Sequence, residues 1–568
     1  MGHPRRHRRT KALHRSGNGV PRTPSLFEKA ERGTGGPGHP APIPRSPRAA
    51  SSPLPRIEIG DVHLRDLTSS ALVALAGAND PPVIFRRAGG LARVVRDEKG
   101  RPIIEHLRES ALRGHIERSA DFIRVAKGRS GERTETPVLP PREVVQDVLS
   151  LGEWGFPPLD AVTEVPVLRP DGSVLMEPGY DPATCLYYVP QPGLLVPPVA
   201  PYPSLDEVGA ALELVLEPIC DFPFADDASR TAAVACLLTS VVRPAIDGPT
   251  PLAALDAPQA GTSKTLLSEL LATVSTGRRA AMFAAPQTDD EWRKRITSAL
   301  LSGGTVVVID NVEGDLRSAS LAAVLTATTW GDRVLGRTET IHLPQRATWV
   351  ATGNNITLGG DLPRRCYWVR LDAKEPRPWQ RRGFRHPDLI AWASASRGRL
   401  VGALLTLARN WWAEACPEPT CPGLGSYEGW RRTVGGILEL AGMGDFLSNL
   451  PQLYEQADVE AEEWGAFLKA WWRWSSPNLN DVASPSRVGE IIAAIERGQL
   501  GVDLPVDCTD VRSGRPNSKR MGWAFRKRDR RRYLVAEPGD PGAPCEHEYW
   551  IQRAGEERTV QLWRVCRA

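Results

Sequence analysis

The chain has 568 residues, 41% apolar and 24% charged, with 71 Lys/Arg against 67 Asp/Glu. This is an ordinary globular composition, long enough for about three or four folded units, which excludes a fibrous or wholly disordered chain and removes any need for a disulfide or metal staple. The longest nearly apolar run, Ala232 to Val242, is far shorter than the ~20 residues of a membrane-spanning helix, and no apolar segment of a secretory signal follows the basic N-terminus, so a cytoplasmic protein without a membrane partner is expected.

In chain order, residues 1–55 hold eleven Lys/Arg, two Glu, ten Pro and seven Gly; such a segment is expected to be a disordered basic tail. Residues 56–200 alternate short apolar stretches (Pro82–Phe85, Leu91–Val95) with turn signals (Asp171-Gly172, Asp181-Pro182), the pattern of an N-terminal α+β accessory domain. Proline-rich Pro190–Pro203 has the composition of a linker. Over 205–412, apolar runs at Leu252–Leu255, Val306–Ile309, Thr348–Ala351 and Cys366–Val369 alternate with helical stretches at Thr265–Val274, Asp289–Leu301 and Ala319–Thr328. That alternation predicts a parallel sheet covered on both faces. Residues 426–475 form a Trp-rich helical segment whose aromatics are expected in a core. Residues 480–568 combine a helix at Ser484–Arg497, a basic helix at Ser518–Arg532 and strand-like runs at Tyr533–Glu537, Glu548–Ala554 and Thr559–Val565, the element order of a winged helix-turn-helix. The nine scattered cysteines have neither disulfide-framework nor zinc-finger spacing.

The segment Leu252-Ala-Ala-Leu-Asp-Ala-Pro258-Gln-Ala-Gly261-Thr262-Ser263-Lys264-Thr265 runs from a buried strand through a small-residue turn into a helix. This is the setting of a phosphate-binding loop: backbone N–H groups and a helix N-terminus face the anion, a lysine reaches the terminal phosphates, and a hydroxyl holds Mg²⁺. Pro258 and Ser263 stand where the G-x-x-x-x-G-K-[ST] pattern has glycines. Downstream, Thr305-Val-Val-Val-Ile-Asp310-Asn311 has the Walker B form, a buried strand delivering a carboxylate to magnesium. Asn311 replaces the usual glutamate, which leaves Glu313 or Glu291 as the base, or hydrolysis slow. Thr348-Trp-Val-Ala-Thr-Gly-Asn354-Asn355 ends a further strand in a sensor-like amide, and Asp361-Leu-Pro-Arg364-Arg365 offers an arginine finger for a neighbouring subunit. Between them, Trp330–Pro344 reads as a hairpin carrying Arg333 and Arg337, either a solvated surface hairpin or a loop gripping single-strand phosphates.

In this order, the motifs resemble the superfamily 3 helicase core, in particular the AAA+-type ATPase of phage, plasmid and integrative-element primase–helicase proteins. The resemblance covers about 205–412 and implies a P-loop NTPase fold, ATP and Mg²⁺ as cofactors, and a hexameric ring on single-stranded DNA. It implies phosphate binding by the loop Gly261, Thr262, Ser263, Lys264 and Thr265, Mg²⁺ ligation by Thr265 and Asp310, a sensor at Asn354, a finger at Arg364 or Arg365, and DNA contacts from Arg333 and Arg337.

In the basic helix, Met521, Ala524 and Phe525 recur at inward spacing and leave Lys519, Arg520, Arg526 and Lys527 outward, as a reader of duplex DNA would have them. The expected activity is a DNA helicase or replication ATPase of a mobile element, working with a separate primase or replication partner. The alternative is a replication initiator or scaffold that binds ATP to assemble and hydrolyses little, which Ser263 and Asn311 favour. A primase is disfavoured, because residues 57–200 show no catalytic carboxylate motif.

Overall fold

The computed structural model describes residues 53–127, 132–333, 340–457, 459–476, 482–510, 513–537 and 545–568. The basic tail therefore lies almost wholly outside the described residues. So does Arg337.

Residues 56–137 build two small sheets. Strands Arg56–Ile59, Asp121–Lys127 and Arg133–Pro137 form one, and Phe85–Arg87, Gly90–Arg96 and Pro102–His106 form the other. Leu67, Leu75, Leu112, Ile116, Val144 and Phe122 share a core beside the first.

Helix α1 (Leu205–Leu216) begins with a reciprocal cap, Ser204 Oγ accepting from Glu207 N while Ser204 N donates to the Glu207 carboxylate. Helix α2 (Asp227–Val242) is made of small and branched apolar residues and is buried nearly all round, so it serves as an internal helix. Next come β1 (Leu252–Ala257), α3 (Lys264–Thr276), β2 (Met282–Ala284), α4 (Asp289–Leu301), β3 (Val306–Leu316), α5 (Ala319–Thr326), β4 (Thr329–Arg333), β5 (Thr340–Pro344), β6 (Thr348–Leu358), β7 (Cys366–Arg370) and the long α6 (Leu389–Ala413). Five of these strands form one sheet in the order β2-β3-β6-β1-β7, every pair parallel. The protein is thus mixed α/β around a parallel sheet. β1 is buried at every residue, as a strand with helices on both faces must be.

Two strands are longer than their apolar runs predicted. β3 continues past Ile309 and β6 past Ala351, because the register shifts between Ile309 and Val312 and then resumes with Val312 opposite Gly353 and Glu313 opposite Asn354. The bulge leaves Asp310 and Asn311 out of the ladder with β6, while Asp310 still pairs with Ala284 of β2, and Asn311 has φ 53°. Asparagine tolerates this left-handed conformation better than most residues.

The proline-rich segment 190–203 is a strap rather than a free linker. It has no regular secondary structure but lies against α6, where Gly398 faces the Leu195 carbonyl and Gly402 faces the Pro197 ring. Arg409 Nη2 donates to Pro201 O (2.8 Å) and Gln191 Nε2 to Gly277 O (3.2 Å). A Cβ at position 398 would overlap the Leu195 carbonyl, a backbone group that cannot rotate away. Gly398→Ala is therefore expected to destabilise the protein by about 1–3 kcal/mol, read as a lower denaturant midpoint. An unchanged midpoint would show that the strap contributes nothing.

The C-terminal part contains α7 (Val459–Ser475), β8 (Ser486–Arg487), α8 (Val488–Glu496), α9 (Ser518–Lys527), β9 (Arg532–Glu537), β10 (Cys545–Glu557) and β11 (Val560–Arg567), with an antiparallel sheet in the order β8-β11-β10-β9. Trp464, Phe467, Trp471, Phe525 and Trp563 form its core, with Trp471 stacked on Phe525 at 5.3 Å between centroids. Met521, Ala524 and Phe525 face inward, as their spacing predicts. Both predicted helices are shorter than expected. Ser486 and Arg487 pair with β11 instead of starting α8. α9 stops at Lys527, and Arg528 turns into the core, 1% exposed, with its guanidinium 4.4 Å from the Trp464 ring and paired with Asp507.

Candidate functional site

Because the five strands are parallel, they run toward one edge of the sheet, and the polar residues that follow the apolar runs of β1, β3 and β6 gather on that side. The turn 258–263 leaves β1 and enters α3. It is pinned from two sides: Asn355 Nδ2 donates to Pro258 O (3.3 Å) and Gln259 Nε2 to Glu375 O (2.6 Å). Gly261 has φ +81°, and a Cβ there would stand 3.1–3.2 Å from Trp379, including its backbone nitrogen. Glycine is required at this point by both conformation and space.

Ser263, at the N-cap of α3, adopts φ 72° and ψ 21° with no side-chain cap. A serine pays roughly 1–2 kcal/mol for this left-handed geometry, so Ser263→Gly is expected to raise unfolding stability by about 1 kcal/mol. A loss of stability in the denaturation curve would mean that the hydroxyl makes a compensating contact.

Lys264 is buried, and its ammonium donates to Asn354 Oδ1 (2.8 Å), Thr262 Oγ1 (3.0 Å) and Gln259 O (3.2 Å). Burial lowers its pKa, and Asp256 opposes that shift. Thr265 Oγ1 lies 3.3 Å from Asp310 Oδ1, which also accepts from Thr352 Oγ1 at 2.7 Å. Gly261, Thr262, Ser263, Lys264, Thr265, Asp310 and Asn354 thus form one cluster. Hydroxyl and carboxylate oxygens are the donors a magnesium ion takes, and a buried lysine beside a helix N-terminus suits a phosphate, so these residues fit Mg²⁺ and a nucleoside triphosphate.

Of the two carboxylates considered as a base, Glu313 lies opposite Asn354 in register and accepts from Asn311 Nδ2 at 3.0 Å. Glu291 sits in the first turn of α4 with its carboxylate held by Lys294 at 2.6 Å.

The two arginines of the finger motif have different environments. Arg365 is 14% exposed in its side chain and bound inward, to Ala322 O, to Thr326 Oγ1 (2.9 Å) and to Asp361 (2.6 Å). Arg364 is 67% exposed and meets Asp361 at 2.6 Å. Both precede β7, whose first residue pairs with the first residue of β1, so they lie at the opposite end of the sheet from Lys264.

Arg333 ends β4 and is exposed. Its hairpin is anchored to α4, since Trp330 Nε1 donates to Thr297 Oγ1 at 2.9 Å and Asp332 accepts from the same hydroxyl. On α9, Lys519, Arg526 and Lys527 are exposed and Arg520 is half-buried. These four lie on a different element from the Lys264 cluster.

Three residues of the site carried no signal that singled them out. Asp256 is fully buried in β1 and accepts from Ile356 N at 2.9 Å, which ties β1 to the far part of β6. Burial raises its pKa. Thr352 had to be read as the partner of Asp310 across strands. Trp379, 63% exposed beside Gly261, lies in a Pro/Arg-rich stretch without periodicity.

No protein-family model and no curated protein matches the chain. Among solved structures, it is similar to the apo form of the NrS-1 C-terminal region (10% identity, covering 87% of this chain and 100% of that one, TM-score 0.37). It is also similar to the SCCmec type IV Cch active helicase (10% identity, 85% and 97%, TM-score 0.28) and to JCV helicase (13% identity, 47% and 71%, TM-score 0.21). At these scores the likeness carries no weight, and the site stands on its own geometry. Among the described residues, no helix is long and apolar enough to cross a membrane.

Proposed function

We propose that the chain is an ATP-hydrolysing motor that moves on single-stranded DNA as an oligomeric ring, a helicase of the superfamily 3 type serving the replication of a mobile element. The observation that carries this reading is the convergence of Lys264, Thr265, Asp310 and Asn354 just past the apolar runs of three adjacent parallel strands. In this reading the sheet is a P-loop core of the AAA+ type.

The N–H groups of residues 261–265 and the start of α3 hold the phosphates. Lys264 exchanges its contact with Asn354 for the terminal phosphate, and the freed amide of Asn354 orients the attacking water together with Glu313. Thr265 and Asp310 would hold magnesium, which when bound would supply charge neutralisation on the phosphates. Arg364 lies too far along the sheet to act on its own subunit's nucleotide, so it serves the neighbour's. Arg333 and the hairpin it belongs to grip the single strand, with Arg337 beyond the described residues. The C-terminal part is a winged helix whose Lys519, Arg520, Arg526 and Lys527 contact duplex phosphates.

The exposed Trp379 beside Gly261 offers an aromatic face to the base of a bound nucleotide. Trp379→Ala is expected to weaken ATP binding about tenfold, since base stacking is worth about 1–3 kcal/mol. Binding of inorganic tripolyphosphate, measured by calorimetry, should be unchanged. Equal losses for both would place Trp379 in support of the loop rather than on the base.

The test of the whole reading is ATP turnover by the full chain with and without single-stranded DNA. Turnover stimulated by DNA supports the motor. Binding of ATP with no turnover at any DNA concentration overturns it and favours an assembly role, which the strained Ser263 and the Asn311–Glu313 contact would explain.

A further inference from the structure

At the other end of the sheet from Lys264, where β3 and β6 begin, a cavity of about 150 Å³ opens between the strand starts, the end of α2 and the segment 160–186. Its lining includes the buried Arg243 and Thr348, the half-buried Thr305 and Arg346, and the exposed Pro170 and Ala183. A cavity of this volume holds a molecule about the size of benzene.

Its charges do not balance. Among the described residues, Asp160 is the one carboxylate in the lining, and Arg346 takes it with two hydrogen bonds of 3.1 and 3.0 Å. Arg243 is 5% exposed and donates only to carbonyls, of Gln345 (3.1 Å) and Ile246 (3.5 Å). Burial and the nearby Arg346 together lower its pKa to about 9. The C-terminal end of α2 offsets part of the charge, about half a unit at most.

Two of the lining residues also carry unsatisfied groups. Arg243 Nε and Thr348 Oγ1 are buried with no hydrogen-bond partner. Each can donate, and donors left unpaired in a buried site are expensive. An anion with several acceptor oxygens answers both the charge and the donors, and guanidinium groups match phosphate and carboxylate geometry.

We infer that this cavity binds a small oxyanion, a phosphate or a short carboxylate, between Arg243, Arg346 and Thr348. The site is separate from the proposed nucleotide loop and does not depend on that assignment.

Cys185 lines the cavity and is half-buried, so its alkylation reports on occupancy. The experiment treats full-length Lys264→Ala protein, in which the loop lysine is gone, with N-ethylmaleimide and maps labelling by mass spectrometry. Phosphate is titrated at constant ionic strength, and acetate provides a second arm that separates phosphoryl from carboxyl recognition. Either anion should slow Cys185 about tenfold at about ten times its Kd and leave the exposed Cys220 unaffected. Adding Arg243→Met should remove the protection. If that variant does not fold, Thr348→Val should weaken the protection instead. Unchanged Cys185 labelling with both anions, equal slowing at Cys220, or protection that survives both substitutions would overturn the assignment.

Discussion

Lys264→Ala is expected to abolish ATP turnover and to weaken ATP binding at least about thirtyfold, because removing one member of a buried, hydrogen-bonded charge pair loses about 2–5 kcal/mol. The ammonium is the cation through which the turn 258–263 and β6 meet, with Gln259, Thr262 and Asn354 all accepting from it. The fold should survive. Burial already disfavours the charged lysine, as its lowered pKa reports, so its removal relieves desolvation while leaving three acceptors, of which Asn354 is exposed to water. Calorimetric titration with ATP alongside a thermal melt separates the two effects. Unchanged ATP affinity in a folded variant would sink the nucleotide site itself.

Arg364→Ala is expected to lower kcat by about a thousandfold or more, as loss of an arginine finger does, with ATP binding retained. Arg365→Ala should behave differently. Its guanidinium serves Ala322, Thr326 and Asp361, so truncation leaves partners unpaired and lowers stability by about 1–3 kcal/mol. The decisive measurement mixes subunits. Arg364→Ala and Lys264→Ala are each inactive alone, but in a mixed ring about a quarter of the interfaces would combine an intact lysine face with an intact arginine face. Recovered turnover on mixing supports action in trans. No recovery, with mixed assemblies demonstrated, rules it out.

The cluster itself was legible because a strand buried on both faces reads as a nearly unbroken apolar run, and the polar residues soon after it mark where that run stops. This placed Lys264, Asp310 and Asn354 without any contact information. What the pattern hid was non-local. β3 and β6 both outrun their apolar cores, since the bulge at Asp310–Asn311 interrupts the pattern and pairing resumes beyond it with polar residues on the open side. The strap at 190–203 has a linker's composition, and only its contact with Gly398, two hundred residues away, shows that it is packed. Arg364 and Arg365 are identical in type and adjacent, so nothing short of their partners on α5 separates them. Arg528 illustrates the same limit: it lies in a run of cations, yet its side chain is in the aromatic core.

Strand β6 has a mechanical consequence. The hairpin β4–β5 joins its first residue, Thr348, through Gln345–Ala347, and Asn354 lies six residues further on. Between the two, β6 is bonded on both sides, to β3 and to β1. Sliding it by even one residue would break two ladders and turn every side chain to the wrong face. The strand therefore behaves as a fixed beam rather than a piston, and a pull on the hairpin must be absorbed at its root. In the proposed motor, force passing between the hairpin and the nucleotide would then travel around the ring, from one subunit's arginine edge to the next subunit's lysine edge, instead of along the strand within one subunit.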